Sequence, residues 1–278
     1  MKRQSIFILV LVILIAIPLN GYADQSQDLI EKTNKGIINW TQGIIQAKGI
    51  GAPPEKLYGK PSARPMALRA ATLDAYRNIL EVVNGVRIDS TTSVKDYAVE
   101  SDVIMSRVQG MVQGAQEVKR EYLSDGTVEI TMQMNLRGGF SQLILPEEIK
   151  PLESITPVVP VQSASAVFTG LVVDAKGLSA RPAMSPKILD ENGQEVYGSA
   201  FVSREYAVQQ GMSGYAKELS AATQNQRVTD NPLTVKGLRT EGAGRSDIVI
   251  SNADAAKLRS ASENLSFMKK CRVMVVVD

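Results

Sequence analysis

The stretch 62–94, SARPMALRAATLDAYRNILEVVNGVRIDSTTSV, constrains the fold more than any other in this chain. Pro65 suits a first helical turn, where its missing N–H sacrifices no hydrogen bond. Leu68, Ala71, Ala75, Ile79 and Val82 then recur three or four residues apart, the spacing that lines one face of an α-helix. Tyr76 and Val83 widen that stripe. Arg69, Asp74, Arg77 and Glu81 fall on or beside the opposite, solvent face, where opposite charges pair weakly. Asn84-Gly85 predicts a left-handed C-cap, and Val86, Ile88 and the threonines after them predict a strand. A helix of about 20 residues is roughly 30 Å long, enough to cover a small sheet.

Around that helix the chain predicts an α+β protein of two domains. Gly36–Gly51, with Ile37, Ile38, Trp40, Ile44, Ile45 and Ile50, predicts one strand bent near Gly43. Gly49-Ile50-Gly51 lacks the spacing and the following helix of a phosphate loop and predicts a turn. A second helix is expected over 95–112, burying Val99, Val103, Ile104, Val108 and Met111. Segments 115–123 and 127–136 flank Ser124-Asp125-Gly126, the chemistry of a hairpin turn. In the second arm Val128, Ile130, Met132, Met134 and Leu136 alternate with Glu129, Thr131, Gln133 and Asn135, so one face meets the core and the other water. Residues 24–137 thus predict two helices packed on one face of a mostly antiparallel sheet.

Residues 138–166 hold Pro146, Pro151, Pro157 and Pro160 and predict an extended linker. Residues 167–278 predict a smaller-stranded α+β domain. Its strands are expected at 167–173, on both sides of the Asn192-Gly193 turn, and at 201–208, 232–238 and 248–251. Helices are expected at 215–223 and from the Ser251 or Asn252 cap through Met268. The terminal run 273–277 is apolar on both faces and predicts a central strand.

The runs Ala67-Leu68-Arg69-Ala70-Ala71, Asp74 through Glu81, and Gly85-Val86-Arg87-Ile88-Asp89 resemble the LPP20 lipoprotein family. They are similar also to the N-terminal domain of a flagellar-assembly T protein that shares the module. The resemblance covers roughly residues 37–137. Its positions Arg69, Ala71, Asp74, Ala75, Tyr76, Glu81, Gly85 and Asp89 form a structural motif without a reactive constellation. It implies an α+β envelope module and does not imply a reaction. A lipoprotein would carry cysteine at the cleavage point, where Asp24 stands.

Residues 1–23 read as a signal peptide: Lys2 and Arg3, then the apolar run 6–19, then Gly21-Tyr22-Ala23. The apolar run is short for a membrane span, and a retained N-terminal anchor is the rival reading. The chain has 31 Lys+Arg and 29 Asp+Glu; without Lys2 and Arg3 the two signs balance. A balanced chain without a basic block gives no electrostatic case for nucleic acid. Cys271 is the only cysteine, so no intrachain disulfide forms.

The chain contains no histidine. That removes Ser-His, Cys-His and His-metal sites in their usual form and the commonest general base near neutral pH. Ser266 and Lys269 have the S-x-x-K spacing of penicillin-recognising enzymes without the accompanying elements, and Lys269 is expected to serve a helix end. Asp174, Asp190, Glu191, Glu147 and Glu148 are scattered acids of strand ends, turns and linker. Asp190, Asn192 and Gly193 match only part of a calcium loop. Cys271 is expected on the terminal strand, buried beside Val273 and Val275. Arg181, Arg239 and Arg245 sit near glycine-rich loops, an arrangement that holds anions or is simply solvated.

No catalytic residue, cofactor or metal is expected. The sequence predicts a non-enzymatic envelope protein, in the periplasm or at the outer-membrane periphery, with a structural, binding or assembly role. Association with the flagellar basal body or outer membrane follows only from the resemblance. A periplasmic carboxylate-dependent hydrolase and a glycan- or lipid-binding module are the alternatives. Partners are other envelope proteins or a second copy, with no nucleic acid and with membrane contact only through an uncleaved N-terminal segment. Trp40, Glu129, Thr131 and Gln133 are the candidate partner surface.

Overall fold

The structure is a computed structural model, and it describes residues 28–99, 101–146, 149, 168–260 and 262–278. The signal-peptide reading of residues 1–23 and most of the proline-rich stretch lie outside these residues.

The first half forms strands β1 (Ile30–Lys32), β2 (Gly36–Asn39) and β3 (Ile44–Gly51), then helices α1 (Ala63–Asn84), α2 (Val94–Val99) and α3 (Asp102–Gln113). A hairpin of β4 (Gln116–Tyr122) and β5 (Val128–Asn135) follows, and then a short helix, α4 (Gly139–Ile144). The five strands make one antiparallel sheet in the order β1-β2-β3-β5-β4. The hairpin forms as expected, with Gly126 at φ +85° and the Asp125 carboxylate accepting from the Thr127 N–H at 2.9 Å. Val128, Ile130, Met132 and Met134 face inward and are buried.

The expected strand over 36–51 is two strands joined by a turn at 40–43, with Gly43 at φ +71°. Trp40 lies in that turn and is buried. Gly85 has φ −84° and is not left-handed. The segment after it forms a single bridge, Arg87 to Ser93, in place of a strand. The expected second helix is broken into α2 and α3, so Val99 and Val103 at the break are 71% and 60% exposed. The start of the expected linker packs onto the core: α4 buries Phe140 and Ile144, and Leu145 and Ile149 are buried beyond it.

The second half contains β6 (Gly170–Asp174), β7 (Ile188–Leu189), β8 (Glu195–Tyr197), α5 (Arg204–Gln210), β9 (Gly214–Ala216) and α6 (Leu219–Thr223). It continues through β10 (Pro232–Glu241), β11 (Asp247–Ile250), α7 (Asn252–Arg259), α8 (Ser262–Lys269) and β12 (Val273–Val276). Its seven strands run in the order β8-β7-β11-β10-β6-β12-β9. The pairs β10–β6, β6–β12, β12–β9 and β11–β7 are parallel. The apolar terminal run is an interior strand, one in from the edge and paired on both sides by β6 and β9, as its two-faced hydrophobicity demands. Leu171, Val173, Val273 and Val275 face the main core, while Val172, Met274 and Val276 face a smaller cluster with Ala222 of α6. The expected strand at 201–208 is instead α5, and Tyr215 belongs to β9 rather than to a helix. The expected helix from Ser251 is two, α7 and α8; Ser251 Oγ caps α7 by accepting from the Asp254 N–H at 3.1 Å.

Both sheets contribute to one continuous core, which runs from Leu29, Ile45 and Ile79 to Leu171, Ile248 and Val275. The fold is α+β throughout.

Candidate functional site

The motif that organised the sequence serves packing. Helix α1 crosses β3 at a strip of small residues, with Ala67, Ala71 and Ala75 fully buried against Gly49 and Gly51. A Cβ on Gly49 would sit 2.2 Å from Ala71 O and from Ala75 N. Gly49-Ile50-Gly51 is therefore strand, not turn, and its glycines admit the helix backbone. Strand β2 pairs only with residues 44–47, leaving the far end of β3 without a strand partner on that side. Asp74 and Asn78 of α1 fill the gap. Asp74 Oδ2 accepts from the Ile50 N–H at 3.0 Å, and Asn78 Nδ2 donates to Lys48 O at 2.7 Å. Asp74 thus lies toward the sheet and not on the expected solvent face, because an unpaired backbone donor draws it there. Arg69 and Glu81 are exposed, and Tyr76 packs at the core margin.

The second part of the motif docks the two sheets. Arg87 is only 9% exposed. Its Nε donates to Pro182 O at 2.8 Å, and its two terminal nitrogens hold Glu31 at 3.1 and 2.5 Å. Arg181 joins the same carboxylate at 3.2 Å, and Trp40 Nε1 donates to it at 2.8 Å. Burial alone would raise the Glu31 carboxyl, but Arg87, with Trp40 and Arg181, holds it below its usual value. The backbone continues the seam: Met184 N–H donates to Arg87 O at 3.0 Å and Ser185 N–H to Ile88 O at 2.7 Å. Ser90 Oγ donates to Asp247 Oδ2 at 2.6 Å, and burial pushes the Asp247 carboxyl up. Asp89 closes the turn that follows it by accepting from the N–H groups of Thr91 and Thr92, and Gly85 is exposed at the end of α1.

Two hollows take walls from both halves of the chain. A cavity of about 40 Å³ is lined by Trp40, Arg137, Ser141, Ser213 and Tyr215 among others. A groove of about 370 Å³ lies between α3, α4 and α5, with Ile104, Met111, Leu143 and Leu145 as its apolar lining and Tyr97, Arg107 and Arg204 as polar groups. Arg204 is held by Pro146 O and Gln142 O, each at 2.8 Å. Arg107 is exposed and forms no ion pair among the described residues.

The candidate partner surface divides. Trp40 is turned into the seam, edge-on to Tyr215 with ring centres 5.8 Å apart; the aromatic edge contact and its bond to Glu31 keep it there, so it presents no surface. Glu129, Thr131 and Gln133 do lie on the outer face of the first sheet. There Glu129 pairs with Lys48 and Gln133 accepts from Gln46 at 2.8 Å, so that face is a self-paired polar grid.

The candidate chemical groups are separate from one another. Asp190 is buried, accepting from the N–H groups of Asn192 and Gln194 and from Arg259 at 2.8 Å, and the Arg259 bond keeps its carboxyl low. Glu191 binds the Asn252 N–H at 2.8 Å, at the start of α7. Lys269 ends α8 while Ser266 is exposed in it. Asp174 accepts from the Lys176 N–H at 3.2 Å. Arg181 is held by Glu31 and Arg239 by Glu241 at 2.8 Å. Arg245 is exposed, with φ +54°. Cys271 precedes β12 in a turn, with φ +52°, and is not on the strand; burial pushes its thiol up to about 11. Among the described residues no three His, Cys, Asp or Glu side chains gather as a metal site, and no helix is long and apolar enough to cross a membrane. Sequence reasoning missed Glu31, Arg87, Ser90 and Asp247 because nothing in their spacing marks them; they meet only through the seam.

A search of curated proteins finds no match to this chain. A family model described as Treponema pallidum Tp0624, second domain, matches residues 170–278. That match begins at β6, takes in the whole seven-stranded sheet and lies outside the stretch that resembles the LPP20 family. The second half of the chain is thus similar to a domain of a bacterial protein.

Proposed function

We propose that the protein is a non-enzymatic binding or assembly component of the bacterial cell envelope, exported with residues 1–23 removed. In this reading two folding units, joined through residues 138–166, dock along the Glu31–Arg87 seam. The observation that carries it is where the ionisable groups go. Glu31, Asp74, Asp190 and Asp247 are each bonded to groups of the fold itself, whereas a general acid or base needs a free carboxyl facing a cleft. The groove between α3, α4 and α5 supplies a binding surface instead. Its apolar lining and the exposed Arg107 suit an apolar segment with a carboxylate, offered by a partner envelope protein. The LPP20 resemblance points that partner to the outer membrane or flagellar basal body.

The test is capture of partners by the full mature chain from solubilised envelope fractions of its native bacterium, beside Arg107→Glu and Leu143→Asp. The expected result is one stoichiometric envelope protein bound by the wild type and lost from both variants, with unchanged far-UV spectra. Undiminished capture by both variants would remove the groove from the reading. Turnover of a glycan or ester by the purified chain would replace it with the hydrolase.

A further inference from the structure

We infer that the small cavity at the seam is a binding site for one chloride-sized monovalent anion, held chiefly by Arg137. The cavity measures about 40 Å³ and is walled by Arg137, Ser141, Gln210, Gly211, Ser213 and Tyr215, with Trp40 and Met184 beside them. A single water needs about 10–15 Å³ of such space, so the volume suits one small ion with a water rather than an extended ligand.

The case rests on positive charge without a counter-charge. Arg137 packs against Gly43, and Nη2 donates to Thr41 O at 3.2 Å. Behind Gly211 lies Arg227, which donates to the carbonyls of Gln210, Gly211 and Cys271. Those carbonyls satisfy its donors but carry no net charge. Neither guanidinium has a carboxylate partner among the described residues; burial disfavours the charge of both, and Arg137 further disfavours that of Arg227. The acidic groups that act on Arg227, which are Tyr197, Cys271 and Tyr215, are neutral at pH 7. Burial raises the hydroxyls of Tyr197 and Tyr215, and it holds the Cys271 thiol near 11. Glu31, the nearby carboxylate of the seam, is already shared by Arg87 and Arg181. Arginine does not discharge by losing its proton, and a half-buried charge gains from a counter-ion that water only partly replaces.

The wall also offers a weakly committed donor. Ser213 Oγ is buried and meets the Tyr215 hydroxyl only outside normal hydrogen-bond geometry, whereas the Ser141 hydroxyl is committed to Leu136 O at 2.7 Å and that of Tyr215 to Ala183 O at 2.7 Å. An anion between Arg137 and Ser213 gives the Ser213 hydroxyl a full partner and answers the excess charge, and it ties the end of β5 to the loop before β9 across the two sheets.

The experiment is thermal unfolding of the full mature chain at constant ionic strength, with sodium chloride replacing sodium gluconate over the millimolar range. Gluconate is too large for the cavity. The expected result is a saturable rise in Tm of about 3 °C, reproduced by bromide and abolished in Arg137→Gln. Arg239→Gln, on β10 and away from the cavity, should keep the rise. Should Arg137→Gln fail to fold, bromide-soaked crystals of the wild type decide: an anomalous peak between Arg137 and Ser213 is expected. A Tm that stays flat through the exchange, a rise that Arg137→Gln retains, or an empty cavity in bromide crystals would overturn the assignment.

Discussion

Replacing Gly49 with alanine tests the packing that the organising motif provides. The new methyl would lie 2.2 Å from Ala71 O and Ala75 N, and 2.6 Å from Ala75 Cβ. Ordinary contact begins near 3.4 Å, so α1 must retreat from β3 by roughly 1 Å. Backbone atoms of a regular helix cannot step aside as a flexible side chain does. Overpacking of this kind costs about 1–3 kcal/mol. The retreat also stretches the Asp74 and Asn78 bonds to β3, where a charge-assisted bond is worth about 1.5–3 kcal/mol and a neutral one about 1. With those bonds partly kept, the expected loss is roughly 3–4 kcal/mol, a large fraction of a typical domain's stability. Gly110 is the control. It lies exposed in α3 with nothing within 4 Å of a built Cβ, so Gly110→Ala should stabilise by about 0.5–1 kcal/mol through helix propensity. Urea unfolding followed by circular dichroism measures both, with matching m values confirming a like-for-like comparison. A Gly49→Ala protein within about 0.5 kcal/mol of wild type would show that α1 does not rest on that strip.

Ile79 is fully buried and Arg77 lies on the exposed side of α1; Ile79→Asp should cost several kcal/mol in the same assay and Arg77→Ala no more than about 0.5. Because the folded Glu31 carboxyl sits below its ordinary 4.5, its contribution is fully present above that value and is lost as pH falls through the folded one. Glu31→Gln should therefore lower stability at pH 7 and flatten the acid limb of the stability profile, and an acid limb matching wild type would remove the seam pair from the account. Cys271 is raised from 9.0 to about 11, so the unfolded chain ionises first and stability should fall between those pH values; a thiol reagent should label Cys271 only on unfolding, and rapid labelling of the native chain would contradict its burial. Limited proteolysis is expected to nick within residues 137–166 and leave two pieces that co-elute, since the seam bonds survive the cut; separation of the pieces would show that the seam is weak.

What the sequence determined by itself was local. The alternation in Val128–Leu136, the Asp125-Gly126 turn, the Ser251 cap and the two-faced apolar run 273–277 each became the element expected, because period and turn chemistry act within a few residues. Tertiary structure decided the rest. Residues 201–208 carry strand-like composition yet form α5, whose Ala207 packs into the core, so packing overrode propensity. Asp74 left the charged face to meet a strand edge that only the sheet order exposes. The Glu31–Arg87–Arg181 cluster joins residues 56 and 150 positions apart, and the Arg137 cavity likewise takes walls from both halves. Such sites depend on which surfaces meet, and no periodicity along the chain encodes a contact between segments so distant.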